Sequence, residues 1–298
     1  MPSIAILGPG GVGGFMAALL ARAGESVTII ARPATAEVIE RQGLSVNSVR
    51  FGGFTARPRA RTQLSAPVTF LLIATKATTL KDALERIETR PQLVVPLLNG
   101  LDHLDTLRSR FGASHVAAGS IRIEADRPEP GRVVHTSPFL RVELATDDAS
   151  LRPAVAELAG MLERAEIPTK LGPSEAQVMW SKLVRLAPLA LTTSVAQRPI
   201  GFICADTHWR ATLEAAIRET AAVANVDGAR VDAAETLAEL GTAHPTLSSS
   251  MQRDLAAGRA PELAIPGAVL QAAGRHGLEC PTIEELTEQV AQRAAARA

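Results

Sequence analysis

The sequence predicts an α/β domain built on a doubly wound, mostly parallel sheet, followed by an all-α domain. Three observations predict it. A short apolar strand runs directly into a glycine-rich turn, a helix and a second apolar strand. Strand-like and helix-like segments then alternate as far as residue 171. After Gly172-Pro173 the apolar period is helical, and no clear strand follows. The expected domains are 1–171 and 172–298.

Ile4-Ala5-Ile6-Leu7 is the first strand, and Gly8-Pro9-Gly10-Gly11-Val12-Gly13-Gly14 is the turn. In a strand–GxGxxG–helix unit each glycine has its own task. Gly8 permits the tight turn, Gly10 lets the backbone approach a pyrophosphate, and Gly13 lets the helix pack closely on the sheet. Gly11 and Val12 complete the loop at the helix N-terminus, whose N–H groups and dipole favour phosphate. Phe15 to Ala21 reads as that helix, Gly24 ends it, and Ser26 to Ile30 is the next strand. The unit is a Rossmann-type dinucleotide site. An NAD site usually places an acid at the end of this second strand, for the ribose 2′-OH. Here Ile29-Ile30-Ala31-Arg32-Pro33 has no acid before Glu37, and Arg32 offers a planar fork suited to a 2′-phosphate. NADP (NADPH) is the expected cofactor.

The later elements follow in order. Ala36 to Gln42 reads as helix. Leu44 to Phe51 and Phe54 to Arg57 flank Gly52-Gly53 as a hairpin. Val68 to Ile73 and Leu93 to Leu98 are apolar runs of the kind buried in a parallel sheet. Thr79 to Ile87 and Leu101 to Phe111 are helical. Val116 to Glu124 and Arg132 to Thr136 suggest a second hairpin around the turn-rich stretch Asp126 to Gly131. Leu140 to Leu144 is a strand, and Leu151 to Ala165 an amphipathic helix. In the second domain Glu175–Val195, Thr207–Ala224, Asp232–Leu240, Ser248–Ala257, Pro266–His276 and Ile283–Ala296 read as helices. Ligands of such a sheet lie outside the carboxyl ends of its strands, so the active site is expected in the cleft between the domains.

Composition excludes several classes. Lys+Arg and Asp+Glu are balanced at 31 each, so no basic field marks a nucleic-acid or membrane partner. Tyrosine is absent and aromatics make up 3%, which argues against stacking platforms for single strands. Cys204 and Cys280 lack ligand-like spacing and read as reduced thiols. The first residues form a core strand with no cationic leader, and no apolar run approaches a membrane span. The expected location is the cytoplasm. The six histidines show neither HxxxH nor HExxH spacing, so no metal site is expected.

Four segments could carry chemistry. Lys76 and Asn99-Gly100 follow buried strands, where loop residues favour function; each also reads as a surface lysine and an ordinary turn pair. Lys182 sits among Met179, Trp180, Leu183, Val184 and Leu186, and Arg185 lies one turn on. The two cations form either an anion-binding stripe or a solvent face. Ser248-Ser249-Ser250 reads as a helix cap or a polar contact, and Glu262 as a first-turn acid or a site residue.

These residues together resemble the ketopantoate reductase (2-dehydropantoate 2-reductase) family nearly end to end. The match runs through GPGGVGG, TKA at Lys76, LNG at Asn99, WSKL at Lys182, and SSSMxxDxxxGRxxE from Ser248 to Glu262. The resemblance implies a helical domain like that of 6-phosphogluconate dehydrogenase, NADPH, and reduction of a 2-oxo acid. By position Lys182 would be the general acid, and Asn99 and Lys76 would line the cofactor side. Ser250 and Glu262 would contact substrate, with Glu262 also in the catalytic set, and Arg185, on the face of Lys182, is expected to help hold the substrate carboxylate. Two asparagines that the family places after the lysine are Leu186 and Ala190 here. The glutamine often found after Lys76 is absent, and the acid stands in Pro261-Glu262-Leu263-Ala264. This opens two alternatives: a reductase of a more apolar 2-oxo acid or ketone, and a non-catalytic NADP-binding sensor. The expected partners are the small-molecule substrate and a second copy of the chain as a homodimer.

Overall fold

In a computed structural model, which describes residues 2–296, the opening apolar run is strand β1 (Ile4–Leu7), buried throughout. Helix α1 (Gly11–Arg22), β2 (Val27–Ile30) and α2 (Pro33–Gln42) follow. Next come β3 (Leu44–Ser48), β4 (Gly52–Ala56) and β5 (Arg59–Arg61). The alternation resumes with β6 (Phe70–Ile73), α3 (Leu80–Leu84), β7 (Leu93–Pro96) and α4 (His103–Phe111). Strands β8 (Ala118–Arg122), β9 (Ala125–Glu129), β10 (Arg132–His135) and β11 (Arg141–Ala145) lead to α5 (Arg152–Arg164) and β12 (Thr169–Leu171). The rest is helical: α6 (Glu175–Ala196), α7 (Ile200–Ala205), α8 (Thr207–Val226), α9 (Ala233–Gly241), α10 (Ser250–Ala256), α11 (Ala264–Arg275) and α12 (Pro281–Ala295).

The chain divides into two compact units. The first holds residues 1–98 and 102–178; the second holds Asn99–Leu101 and residues from Met179 on.

In the first unit a parallel sheet has the order β5-β2-β1-β6-β7. Its central strands are continuous apolar runs because both faces are covered. Fully burying one such Ile, Leu or Phe contributes about 1.5–3 kcal/mol. Strand order reverses at β1, which has β2 on one side and β6 on the other. That is the switch point at which open α/β sheets bind ligands.

The sequence implied one sheet; the unit has three. β4-β3-β10-β9 and β12-β11-β8 form separate sheets, the last touching the first through one parallel bridge between Val94 and Val116. The first expected hairpin forms, β3 pairing antiparallel with β4, but its turn is displaced; the second is corrected. Gly52-Gly53 lies inside β4, and the turn falls at Val49 to Phe51, because the Ser48 hydroxyl accepts from the Arg50 and Phe51 N–H groups. β8 pairs with β11, and the stretch read as a turn is largely β9. β9 is an exposed edge strand, where Pro128 and charged residues are tolerated.

The second unit is built by capped helices. Asp206, Asp232 and Ser249 cap α8, α9 and α10 through their side chains. The Glu219 carboxylate on α8 accepts from the Thr282 and Ile283 N–H groups at the start of α12, both at 3.0 Å. α7, read as a separator, starts behind Pro199 at its N-cap. Pro188 lies inside α6 and removes one backbone donor there; the Thr192 hydroxyl donates to the Pro188 carbonyl at 2.7 Å. Among the described residues no helix is long and apolar enough to cross a membrane, and no cluster of metal-ligating side chains occurs.

Candidate active site

In the first unit the glycine turn is pinned between two strand ends. The Gly8 N–H donates to the Ile30 carbonyl at 3.2 Å, and the Ala74 N–H to Leu7 at 2.9 Å. Gly8 has φ +95°, and a Cβ there would lie 2.7 Å from Thr75 Cγ2. A Cβ on Gly13 would meet the Gly8 carbonyl oxygen at 2.2 Å, which is the close helix–strand packing the motif requires. Gly11 is equally confined, but by the Ala125 carbonyl of β9, so its missing side chain serves the neighbouring sheet. Val12 packs partly against the core.

Gly10 differs from these. It is the N-cap of α1, no side chain caps the helix, and nothing lies within 4 Å of the place a Cβ would take. The first-turn N–H groups of a helix lack intrahelical partners, so this open, uncapped start fits an anionic diphosphate. Arg32 is the exposed N-cap of α2, at the end of β2, with an extended backbone. Arg61, the cross-strand partner of Ile30, is paired with Glu40 at 3.1 Å. The Glu40 carboxyl is held below the usual carboxylate range, first by the Ala60 N–H and then by Arg61. Lys76 is exposed at the exit of β6, where its carbonyl accepts from Thr79.

In the second unit Asn99 Nδ2 donates to Glu262 Oε2 at 3.0 Å. Gly100 has φ +87°, and a Cβ on it would come within 3.3 Å of the Ala264 carbonyl oxygen at the start of α11. The Asn99-Gly100 pair is thus a turn, as its composition suggested, and also a contact of Glu262.

Lys182 is half-buried on α6, between the fully buried Trp180 and Leu183. Arg185 pairs with Glu239 of α9 at 3.6 Å. Leu186 is half-buried and Ala190 buried. Ser249, not Ser250, is the cap of α10, and Ser250 is exposed beside it.

Sequence reasoning missed the anchoring of Trp180. Its Nε1 donates to Asp227 at 2.8 Å, and His276 and Arg275 converge on the same carboxylate. Burial alone would raise the Asp227 carboxyl; the hydrogen bonds from His276 and Trp180 outweigh it and hold it low. The tryptophan in the WSKL match was the available signal.

The arrangement provides an anion-binding helix start in one unit. In the other it provides a half-buried lysine and an amide–carboxylate pair. Comparison with known proteins bears on both. Residues 4–146 match the family model of ketopantoate reductase PanE/ApbA, and residues 176–294 match its C-terminal model. The chain is 27% identical over 290 residues to the uncharacterized oxidoreductase YkpB of Bacillus subtilis, covering 94% of each. It is 29% identical over 294 residues to a 2-dehydropantoate 2-reductase of Caulobacter vibrioides, covering 94% of this chain and 95% of that protein. A solved D-mandelate dehydrogenase, in complex with NADH and anilino(oxo)acetate, shares the fold at a TM-score of 0.90 and 21% identity, over 99% of both chains.

Proposed function

The chain belongs to the ketopantoate reductase PanE/ApbA family and is an oxidoreductase that uses a nicotinamide cofactor, and from that premise we propose that it reduces a small 2-oxo acid with NADPH. The observation that carries this reading is the 3.0 Å contact of Asn99 with Glu262. It joins two motifs 163 residues apart in the unit that also contains Lys182.

In this reading Lys182 stabilises the charge that develops on the substrate carbonyl oxygen and donates the proton. A positioned acid contributes about 10²–10⁴-fold. Glu262 fixes the Asn99 amide by accepting from Nδ2, which leaves Asn99 Oδ1 to accept from a ligand. Ser250 and Arg185 hold the substrate carboxylate. NADPH, when bound, supplies the hydride. Gly8, Gly10, Gly11, Val12 and Gly13 shape its diphosphate site, Arg32 meets the 2′-phosphate, and Lys76 lines the cofactor side. The balanced charge supports a reading with no nucleic-acid or membrane partner; a cytoplasmic location and a homodimer belong to the proposal.

One observation favours a substrate more apolar than ketopantoate. Leu186 and Ala190 stand where a polar oxo acid would need partners, and each unmatched buried polar group costs about 1–3 kcal/mol. The likeness to a mandelate-type dehydrogenase fold points the same way. The test is NADPH consumption with ketopantoate, 2-oxoisovalerate and benzoylformate. Turnover of any one supports the reductase. A kcat/KM for ketopantoate at least equal to the others removes the apolar reading. No consumption with any of them would favour the NADP-binding sensor.

A further inference from the structure

Helix α6 carries Lys182, Leu186, Ala190 and Thr193 on one stripe, since their spacing keeps them within about 80° of one another around the axis. Lys182 lies at the half-buried end, and Thr193, fully buried, at the other. Between them Leu186 and Ala190 offer no polar side-chain atom.

The buried end is held by a directed chain of hydrogen bonds. Thr193 Oγ1 lies 2.6 Å from the Leu189 carbonyl oxygen and 3.0 Å from Ser249 Oγ. Ser249 Oγ accepts the Gln252 N–H at 3.0 Å as the cap of α10. A carbonyl only accepts, so the single Thr193 proton goes to Leu189. The contact between the two hydroxyls then uses the Ser249 proton. The chain therefore runs one way, from the Gln252 N–H through Ser249 and Thr193 to the backbone of α6. Both hydroxyls are shut off from water, with Thr193 at 0% and Ser249 at 3% exposure. Removing one would leave the other buried without its partner. Ser250, the next residue, is exposed at the start of α10.

We propose that Thr193 is a positioning residue: acting through Ser249, it fixes the start of α10, and with it Ser250, against the α6 stripe that carries Lys182. The inference rests on the reading of Lys182 and Ser250 as substrate-facing groups. With an apolar centre to the stripe, the orientation of an oxo acid depends on its two polar ends. A loosened α10 start would misplace the substrate without touching the proton donor.

Thr193→Val keeps the shape and removes the hydroxyl, and Thr193→Ser retains it. We expect Thr193→Val to raise KM for benzoylformate about tenfold, with kcat and the Kd for NADPH changed by less than about twofold. Thr193→Ser should restore KM. Amide exchange at Gln252 should quicken in the valine variant alone. An unchanged KM, or a KM that serine does not restore, overturns the proposal. If the valine variant does not fold, Ser249→Gly breaks the same chain at a cap position that tolerates glycine, and the same rise in KM is expected. If the wild-type enzyme reduces none of ketopantoate, 2-oxoisovalerate and benzoylformate, the functional reading fails by itself. Exchange at Gln252 then decides the tether: faster exchange upholds it, and unchanged exchange overturns it.

Discussion

In the proposed reading the first unit meets its ligand with backbone, and the second with side chains. Around Gly8 to Gly13 the groups on offer are N–H donors at an uncapped helix start, and the residues matter mainly for what they lack. The groups proposed for the second unit come from three separate stretches: Asn99, Lys182 and the segment from Ser249 to Glu262. A backbone site is set by local turn geometry and fits within one short motif. A side-chain site exists only after helices have packed, so its parts are individually ordinary.

The largest effect should fall on the side-chain site. Lys182→Ala should lower kcat by about 10²–10⁴-fold, while NADPH titration gives a Kd close to wild type. Near wild-type turnover would remove the division of labour between the units. On the backbone side the exception is Arg32. Arg32→Glu should weaken NADPH about 10–100-fold, as loss of a charge-assisted contact implies, and leave NADH nearly unaffected. Equal losses for the two cofactors would place the 2′-phosphate elsewhere.

The glycines sharpen the contrast further. Gly10→Ala meets open space and Gly13→Ala meets a carbonyl oxygen at 2.2 Å. The first should weaken cofactor binding with an unchanged Tm. The second should lower stability by about 1–3 kcal/mol, as overpacking does. Thermal melts with and without NADPH separate the two, and a stable Gly13→Ala would contradict the close packing.

The smallest effect is a pH dependence inside the first unit. His135 is buried on β10 against Phe15, with its ring nitrogens at Ser48 and Ser137. Burial lowers its pKa below the usual value. The folded state therefore favours the neutral ring. Stability from this group is complete above about pH 6.5 and is lost as pH falls from there through the folded pKa. His135→Gln should flatten that slope, which in Tm is on the order of a few degrees. A wild-type Tm that rises on acidification would refute the assignment.

Legibility in the sequence follows the same division. β1, α1 and β2 were readable because strand, turn and helix signals agree within thirty residues. The Gly52-Gly53 turn misled because the hydroxyl of Ser48 set the turn ahead of the glycines. β9 was hidden by its edge position, where no burial imposes an apolar pattern. At the site, composition and spacing left Lys182 and Glu262 each with an ordinary structural reading, and the family resemblance singled them out. The Thr193–Ser249 pair carried no signal, since neither residue departs from what a helix and its cap ordinarily contain.

The route of the chain constrains how this protein can be rearranged. Asn99–Leu101 belongs with the second unit, although the residues before and after it belong to the first. The helical unit is therefore not one continuous length of polypeptide, and transplanting residues from Met179 onward into another scaffold would leave Glu262 facing a foreign loop. A functional hybrid has to inherit the Asn99-Gly100-Leu101 tripeptide and the segment from Glu262 to Ala264 from the same parent. The two form a lock that a single crossover point in α6 cannot carry across intact.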